Sequence, residues 1–298
     1  MPIPRILVAG NTGQVARALQ DRNDPETFAL TAYGRPQMDI ASLASVQSAF
    51  DKVRPNLVIN AAAYTGVDQA EDEAALAHAV NAEGATNLAK ASAASDIPIL
   101  HLSTDYVFDG TKTDPYVESD PVAPLGVYGA SKLAGEQGVA AANSKHLILR
   151  TSWVYSPYGK NFVKTMLRLA ETHDELRVVS DQIGNPTSAR DIAEALLDLA
   201  SQLCAAPDKM KPGIYHMSGR TSANWAELAA EALTLSAEHG RPTACVIPIT
   251  SAEYPTRVKR PANSRLNCQK LAQDYAIELP DWKTSLRTCL DYLINSEG

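Results

Sequence analysis

Along the first half of the chain, short unbroken apolar runs alternate with Ala-rich stretches whose apolar residues recur every three or four positions. Arg5–Ala9, Ala29–Tyr33, Asn56–Asn60, Pro98–Leu102 and His146–Arg150 read as strands. Thr12–Gln20, Leu43–Lys52, Ala74–Ala94 and Tyr128–Ala142 read as the helices around them. Continuous rather than alternating apolar runs belong to strands covered on both faces. Strand–helix repetition at this spacing means βαβ units and a parallel sheet, and right-handed crossovers make it an α/β, Rossmann-type doubly wound sheet.

The second half is less regular. Helices are expected at Asn161–Thr172, Ser188–Leu203, Asn224–His239 and Pro280–Ile294, and strands at Arg177–Val179, Gly213–Met217 and Ala244–Ile249. Ser188, with Asp191 three residues on, comes close to a capping box. Pro and Gly cluster between these pieces, but no linker is long enough to separate independent domains. The expected division is one unit of residues 1–158 with about 188–218, and a smaller α/β lobe of about 159–187 with 219–298.

The net charge of −7 argues against a general nucleic-acid binder, which carries a basic face. The cations are unevenly placed, however. Tyr254–Gln273 holds Arg257, Lys259, Arg260, Arg265 and Lys270 and no carboxylate, a pattern suited to one anionic small molecule. No apolar run approaches the ~20 residues that span a bilayer, so no membrane association is expected. The N-terminus runs straight into a strand, with no sign of a signal peptide. The four cysteines are scattered without a CxxC, which suits free thiols in the cytoplasm.

Two stretches carry chemistry. Gly10-Asn11-Thr12-Gly13-Gln14-Val15-Ala16 follows a strand and opens a helix, the context of a dinucleotide-binding turn. Gly10 suits the tight turn, Gly13 lets backbone N–H groups approach a pyrophosphate, and the helix start adds positive potential. After the second strand stands Arg35 instead of an acid, which favours the 2′-phosphate of NADPH over the ribose of NADH. Asp39 and Ile40 are placed to border the adenine. Tyr128 and Lys132 lie four apart, hence on one face of a helix. An ammonium beside a phenol lowers its pKa and readies it for proton transfer. Thr104 falls at the carboxyl end of a strand, where ligands of open α/β sheets bind. His101 reads as a packed core residue and Cys268 as an inert thiol, because neither has a partner at ligand spacing. Glu71-Asp72-Glu73 reads as a solvated helix start.

Seven stretches then point the same way: Asn60–Glu71, Ser103–Gly110, Tyr128–Lys132, Arg150–Tyr155, Asn161–Val163, Asp181–Thr187 and Arg260–Leu266. With them the chain resembles the extended short-chain dehydrogenases/reductases and, within these, the dTDP-4-dehydrorhamnose reductase family. The resemblance implies that Tyr128 is the general acid, that Lys132 holds the nicotinamide ribose and lowers the Tyr128 pKa, and that Thr104 polarises the keto group. Asp105 would orient the sugar. Hydride would pass from NADPH, with NADH also possible, to C4 of dTDP-4-dehydro-L-rhamnose, giving dTDP-L-rhamnose for cell-surface polysaccharide. Ala61, Ala62, Ala63, Tyr64, Thr65, Asn81 and Ser103 match positions lining the cofactor. Val67, Asp68, Tyr106, Trp153 and Asn161 match the substrate pocket, with the Trp153 plane covering a sugar face and Arg260 reaching the dTDP phosphates. Some relatives hold a magnesium ion at a dimer interface through carboxylates. The matching positions here are Ala18 and Arg190, so no metal bridge is expected, and the chain would be a monomer or weak homodimer. Two other readings are a different dTDP-4-keto-6-deoxysugar reductase, forming for example 6-deoxy-talose, and a non-catalytic subunit like the β subunit of methionine adenosyltransferase. The latter predicts loss of the Tyr/Lys pair, which is present.

Overall fold

A computed structural model describes residues 2–297. Six strands form one parallel sheet: β1 (Arg5–Ala9), β2 (Ala29–Tyr33), β3 (Leu57–Asn60), β4 (Ile99–Thr104), β5 (His146–Thr151) and β10 (Gly213–His216), in the spatial order β10-β5-β4-β3-β1-β2. β1 pairs with both β2 and β3, so the strand order reverses beside it. The crevice at such a reversal is where ligands of doubly wound sheets bind.

The sheet is buried on both faces, which explains the continuous apolar runs. Ile6, Val8, Leu57 and Leu149 pack under α1 (Gln14–Arg22) and α7 (Ala189–Ala205). Leu7, Val58, Ile99 and Ile148 pack on the other face, under α2 (Leu43–Val53), α4 (Ala85–Ala94) and α5 (Val127–Ala142). The second core lies between α6 (Phe162–Ala170), α8 (Trp225–Glu238), α10 (Trp282–Glu297) and the parallel pair β7 (Glu175–Val179) and β12 (Cys245–Ile249). Short pairs join the pieces: β6 (Val154–Tyr155) with β9 (Thr187–Ser188), and β8 (Ile183–Gly184) with β11 (Ala223–Asn224).

The expected helix Ala74–Ala94 is interrupted. It runs as α3 (Ala74–His78), a π-helical stretch Ala79–Gly84, and α4. The cause is tertiary. The Asn81 side chain is drawn to the Tyr64 backbone, with Tyr64 N–H donating to Oδ1 at 2.8 Å and Nδ2 donating to the Tyr64 carbonyl at 3.0 Å. The Asn81 carbonyl presses on Gly135 of α5, where a Cβ would collide with it. Two further corrections are local. α1 begins at Gln14 rather than Thr12, because Gly13 is extended. Ser188 caps α7 through the Arg190 N–H, but Asp191 accepts from Ser285 instead of completing a capping box. A short helix α9 (Gln269–Tyr275) escaped the periodicity reading, since Leu271 and Tyr275 are its sole buried residues.

Candidate active site

The turn after β1 is built to receive an anion. Gly10 sits at φ +99° with its N–H on the Tyr33 carbonyl at 2.7 Å, and a Cβ there would press on the Ala62 backbone. A Cβ on Gly13 would meet nothing within 4 Å, so this backbone is open to a ligand. The first turn of α1 has no side-chain cap, which leaves its N–H groups available. Arg35 is exposed and makes no hydrogen bond or ion pair among the described residues. These features fit a dinucleotide carrying an extra phosphate. Asn11 and Thr12 lie in this turn, and Ile40 is buried against Gly84, while the Asp39 carboxylate accepts the Ala41 N–H at 3.0 Å and holds its own turn. The Gln14 side chain turns away from the anion site. It donates to the Val154 carbonyl at 3.4 Å and accepts from Ser156 Oγ at 2.7 Å and Asn161 Nδ2 at 3.0 Å. Asn161 also caps α6 through the Lys164 N–H and donates to the Ser156 carbonyl, so its polar atoms serve the scaffold.

β4 delivers Ser103, Thr104 and Asp105 to the carboxyl edge, and α5 brings Tyr128 and Lys132 alongside. The expected ammonium–phenol contact is not made. Lys132 Nζ donates to the Leu102 carbonyl at 2.7 Å. Burial pushes the Tyr128 phenol up to about 12, with Thr104 acting against it. The Lys132 ammonium is pulled down to about 8 by burial, against the pull of Glu136. Thr104 Oγ1 donates to Asp105 Oδ1 at 3.0 Å, while Asp105 Oδ2 is buried with no partner. Burial raises that carboxyl to about 7, with Ser264 and Thr104 opposing. The Tyr106 ring meets Tyr128 edge-on at 5.9 Å.

Beneath this group lies a buried ion pair that sequence reading overlooked. Glu136 accepts from Arg150 Nε at 2.9 Å, Arg150 Nη2 at 2.7 Å and Ser103 Oγ at 2.5 Å. Its signal was present: Tyr128, Lys132 and Glu136 are spaced by four, one stripe of α5. Asn81 adds a third bond, Nδ2 to Ser131 Oγ at 2.9 Å, tying loop 61–65 to α5. His101 pairs with Asn60 at 2.9 Å within the sheet, a packed residue, and burial holds its ring neutral.

A strap of residues 254–261 roofs the site. Arg260 forks onto Asp68, and Arg257 pairs with Asp72. The cleft lined by Val67, Tyr106, Tyr128, Val258, Lys259 and Pro261 has a volume of about 10 Å³, room for about one water. The Arg260 fork is thus held by protein here, where phosphate was expected. A larger cavity, about 610 Å³ and lined by Ile3, Phe28, Pro98 and Met210, opens at the amino ends of the strands, away from this chemistry.

Trp153 has a left-handed backbone (φ +48°) and stacks on Trp225 with ring centroids 3.5 Å apart and planes 5° apart. A Cβ on Gly184 would lie 2.8 Å from Trp153 Cζ2, 2.5 Å from Nε1 and nearest to Cε2 between them. Such an approach comes over a ring face, and the parallel stack leaves no room on the Trp225 side. Both faces of Trp153 are therefore covered, and its plane is not free to lie on a sugar.

The magnesium site of relatives does not fit these residues. Ala18 is fully buried, and Arg190 presents a cation whose Nη1 donates to Asp21 at 2.8 Å. No group of three or more His, Cys, Asp or Glu among the described residues is gathered to hold a metal. No helix among them is long and apolar enough to cross a membrane.

The family model described as the RmlD substrate binding domain matches residues 4–295. A dTDP-4-dehydrorhamnose reductase of Sinorhizobium fredii is 48% identical over 283 residues, 95% of each chain. One of Aggregatibacter actinomycetemcomitans is 43% identical, covering 97% of this chain and 99% of its own. The crystal structure of a dTDP-4-dehydrorhamnose reductase from Bacillus anthracis in complex with NADP superposes with a TM-score of 0.90 at 35% identity, covering 97% of this chain and 99% of that one. With the fold and the Thr104–Tyr128–Lys132 group in place, these similarities establish that the chain belongs to the dTDP-4-dehydrorhamnose reductase family.

Proposed function

We propose that this protein reduces the C4 ketone of dTDP-4-dehydro-L-rhamnose with NADPH, forming dTDP-L-rhamnose. The observation that carries the reading is the convergence of Thr104, Tyr128 and Lys132 at the carboxyl edge of the sheet, in a chain of this family. Bound NADPH supplies the hydride. Gly10, Gly13 and the α1 N-terminus receive its pyrophosphate, and Arg35 its 2′-phosphate.

Thr104 Oγ1 donates to the ketone oxygen in place of Asp105, and Tyr128 protonates that oxygen as reduction proceeds. A phenol near 12 is protonated throughout the neutral range, as a donor must be. An alkoxide at C4 is a stronger base than a phenolate, so the transfer still runs downhill. Lys132, released from the Leu102 carbonyl, stabilises the resulting phenolate. The buried Glu136–Arg150 pair fixes Ser103, and with it the strand end that presents Thr104. Arg260 exchanges Asp68 for the substrate diphosphate, and Asp105 accepts a sugar hydroxyl.

Purified protein with NADPH and dTDP-4-dehydro-L-rhamnose should consume NADPH and yield dTDP-L-rhamnose, identified by NMR. Absence of oxidation of either NADPH or NADH overturns the reading, and a talose-configured product redirects it to the epimeric reductase.

A further inference from the structure

The left-handed backbone at Trp153 needs an explanation. A bulky residue in that region is strained and persists where its surroundings hold it. Here the surroundings are specific. The Thr187 N–H donates to the Trp153 carbonyl at 3.2 Å, and Ser152 Oγ donates to the Asn185 carbonyl at 2.7 Å. The β8–β11 ladder pairs Gly184 with Ala223 and so brings Trp225 and Gly184 to opposite faces of one indole. Trp225 is itself fixed: Nε1 donates to Gln182 Oε1 at 3.2 Å, and Phe162 packs on it at 4.7 Å. Gln182 in turn donates its amide Nε2–H to Ser251 Oγ at 2.9 Å. Among the described residues the Trp153 Nε1–H has no partner, although the atom is not sealed from solvent.

We propose that Trp225 is a positioning residue for sugar-nucleotide binding: with Gly184 it clamps the Trp153 indole so that the substrate meets the ring edge, with its N–H, rather than a ring face. This rests on the placement of Trp153 in the substrate pocket. It assigns Trp225, whose indole contacts Trp153, Phe162 and Gln182, a part in substrate selection. Gly184 becomes a residue that tolerates no side chain, because any Cβ would enter the ring.

The test is steady-state kinetics with near-ultraviolet circular dichroism on intact protein. The chain has three tryptophans, and among the described residues Trp282 shares the core but has no ring contact with the pair, so a coupled-indole signal reports the clamp. Trp225→Leu should abolish that signal and raise the KM for the sugar nucleotide about tenfold, the free energy of a lost aromatic stack. The KM for NADPH should stay within about twofold, and kcat should fall less than the sugar KM rises. Trp225→Phe should restore most of the sugar KM. A purely structural Trp225 would lower the thermal midpoint with an unchanged sugar KM, and that result overturns the proposal. Trp153→Ala separates the two readings. If it leaves the sugar KM unchanged, the placement of Trp153 in the pocket is wrong. If it raises that KM while Trp225→Leu does not, the clamp is wrong.

Discussion

Asp68 and Arg260, 192 residues apart in the chain, meet as a two-pronged pair, Nη1 to Oδ1 at 3.1 Å and Nη2 to Oδ2 at 2.8 Å. The Asp68 side chain is 45% exposed, so the pair adds no more than about 1 kcal/mol. A diphosphate offers the same fork more anionic oxygens, and under the proposed function it would displace the carboxylate. Arg260→Lys keeps the charge and loses the fork. It should raise the KM for the sugar nucleotide about tenfold with little change in kcat. Initial-rate kinetics check this, and an unchanged KM removes Arg260 from nucleotide recognition.

Tyr128→Phe retains the ring that meets Tyr106 and loses the proton. Single-turnover rates should fall roughly 10²–10⁴-fold, with sugar-nucleotide affinity by calorimetry essentially unchanged. Full activity in this variant would transfer the acid role elsewhere, Asp105 being the next buried proton carrier.

Arg35→Ala should weaken NADPH by roughly tenfold or more, the loss of a charge-assisted contact, and leave NADH untouched. The ratio of kcat/KM for the two cofactors is the measurement. A ratio that does not move shows that Arg35 is merely solvated.

Asp105 makes stability depend on pH in a stated direction. Its folded pKa, about 7, stands above the ordinary 3.8, so between those values the folded state binds more protons than the unfolded one. Stability from this group is complete below about 4 and is lost as pH rises towards 7. Asp105→Asn removes that dependence. Urea unfolding at pH 4.5 and pH 7, both within that ~4–7 window, should show the variant gaining on the natural protein at the higher pH. Parallel behaviour of the two proteins would mean that Asp105 is ionised and compensated.

Arg150 and Glu136 are each 2% exposed. Arg150→Met strands a buried carboxylate and should cost about 3–5 kcal/mol of stability, while Glu136→Gln together with Arg150→Met should recover a good part of it. Chemical denaturation measures both. Additive losses would show that the two side chains act independently.

The sheet was legible because its strands are buried on both faces and read as unbroken apolar runs. The Gly10–Gly13 turn and the Tyr128–Lys132 pair were legible because spacing alone fixes which groups share a face. What escaped depends on contacts distant in sequence. The π-helical stretch exists because Asn81 is claimed by Tyr64, and the Trp153 stack because a two-residue ladder brings Trp225 across. The expected lowering of the Tyr128 pKa failed for the same kind of reason: residue spacing places Lys132 beside the phenol, but its ammonium donates to the Leu102 carbonyl instead.

Gln14 belongs to the cofactor turn, yet its amide is spent on Val154, Ser156 and Asn161. The turn after β1 is therefore stitched to the segment 154–161 that leads into α6. A chimera that replaces residues 154–161 under this turn would leave the Gln14 amide unmatched.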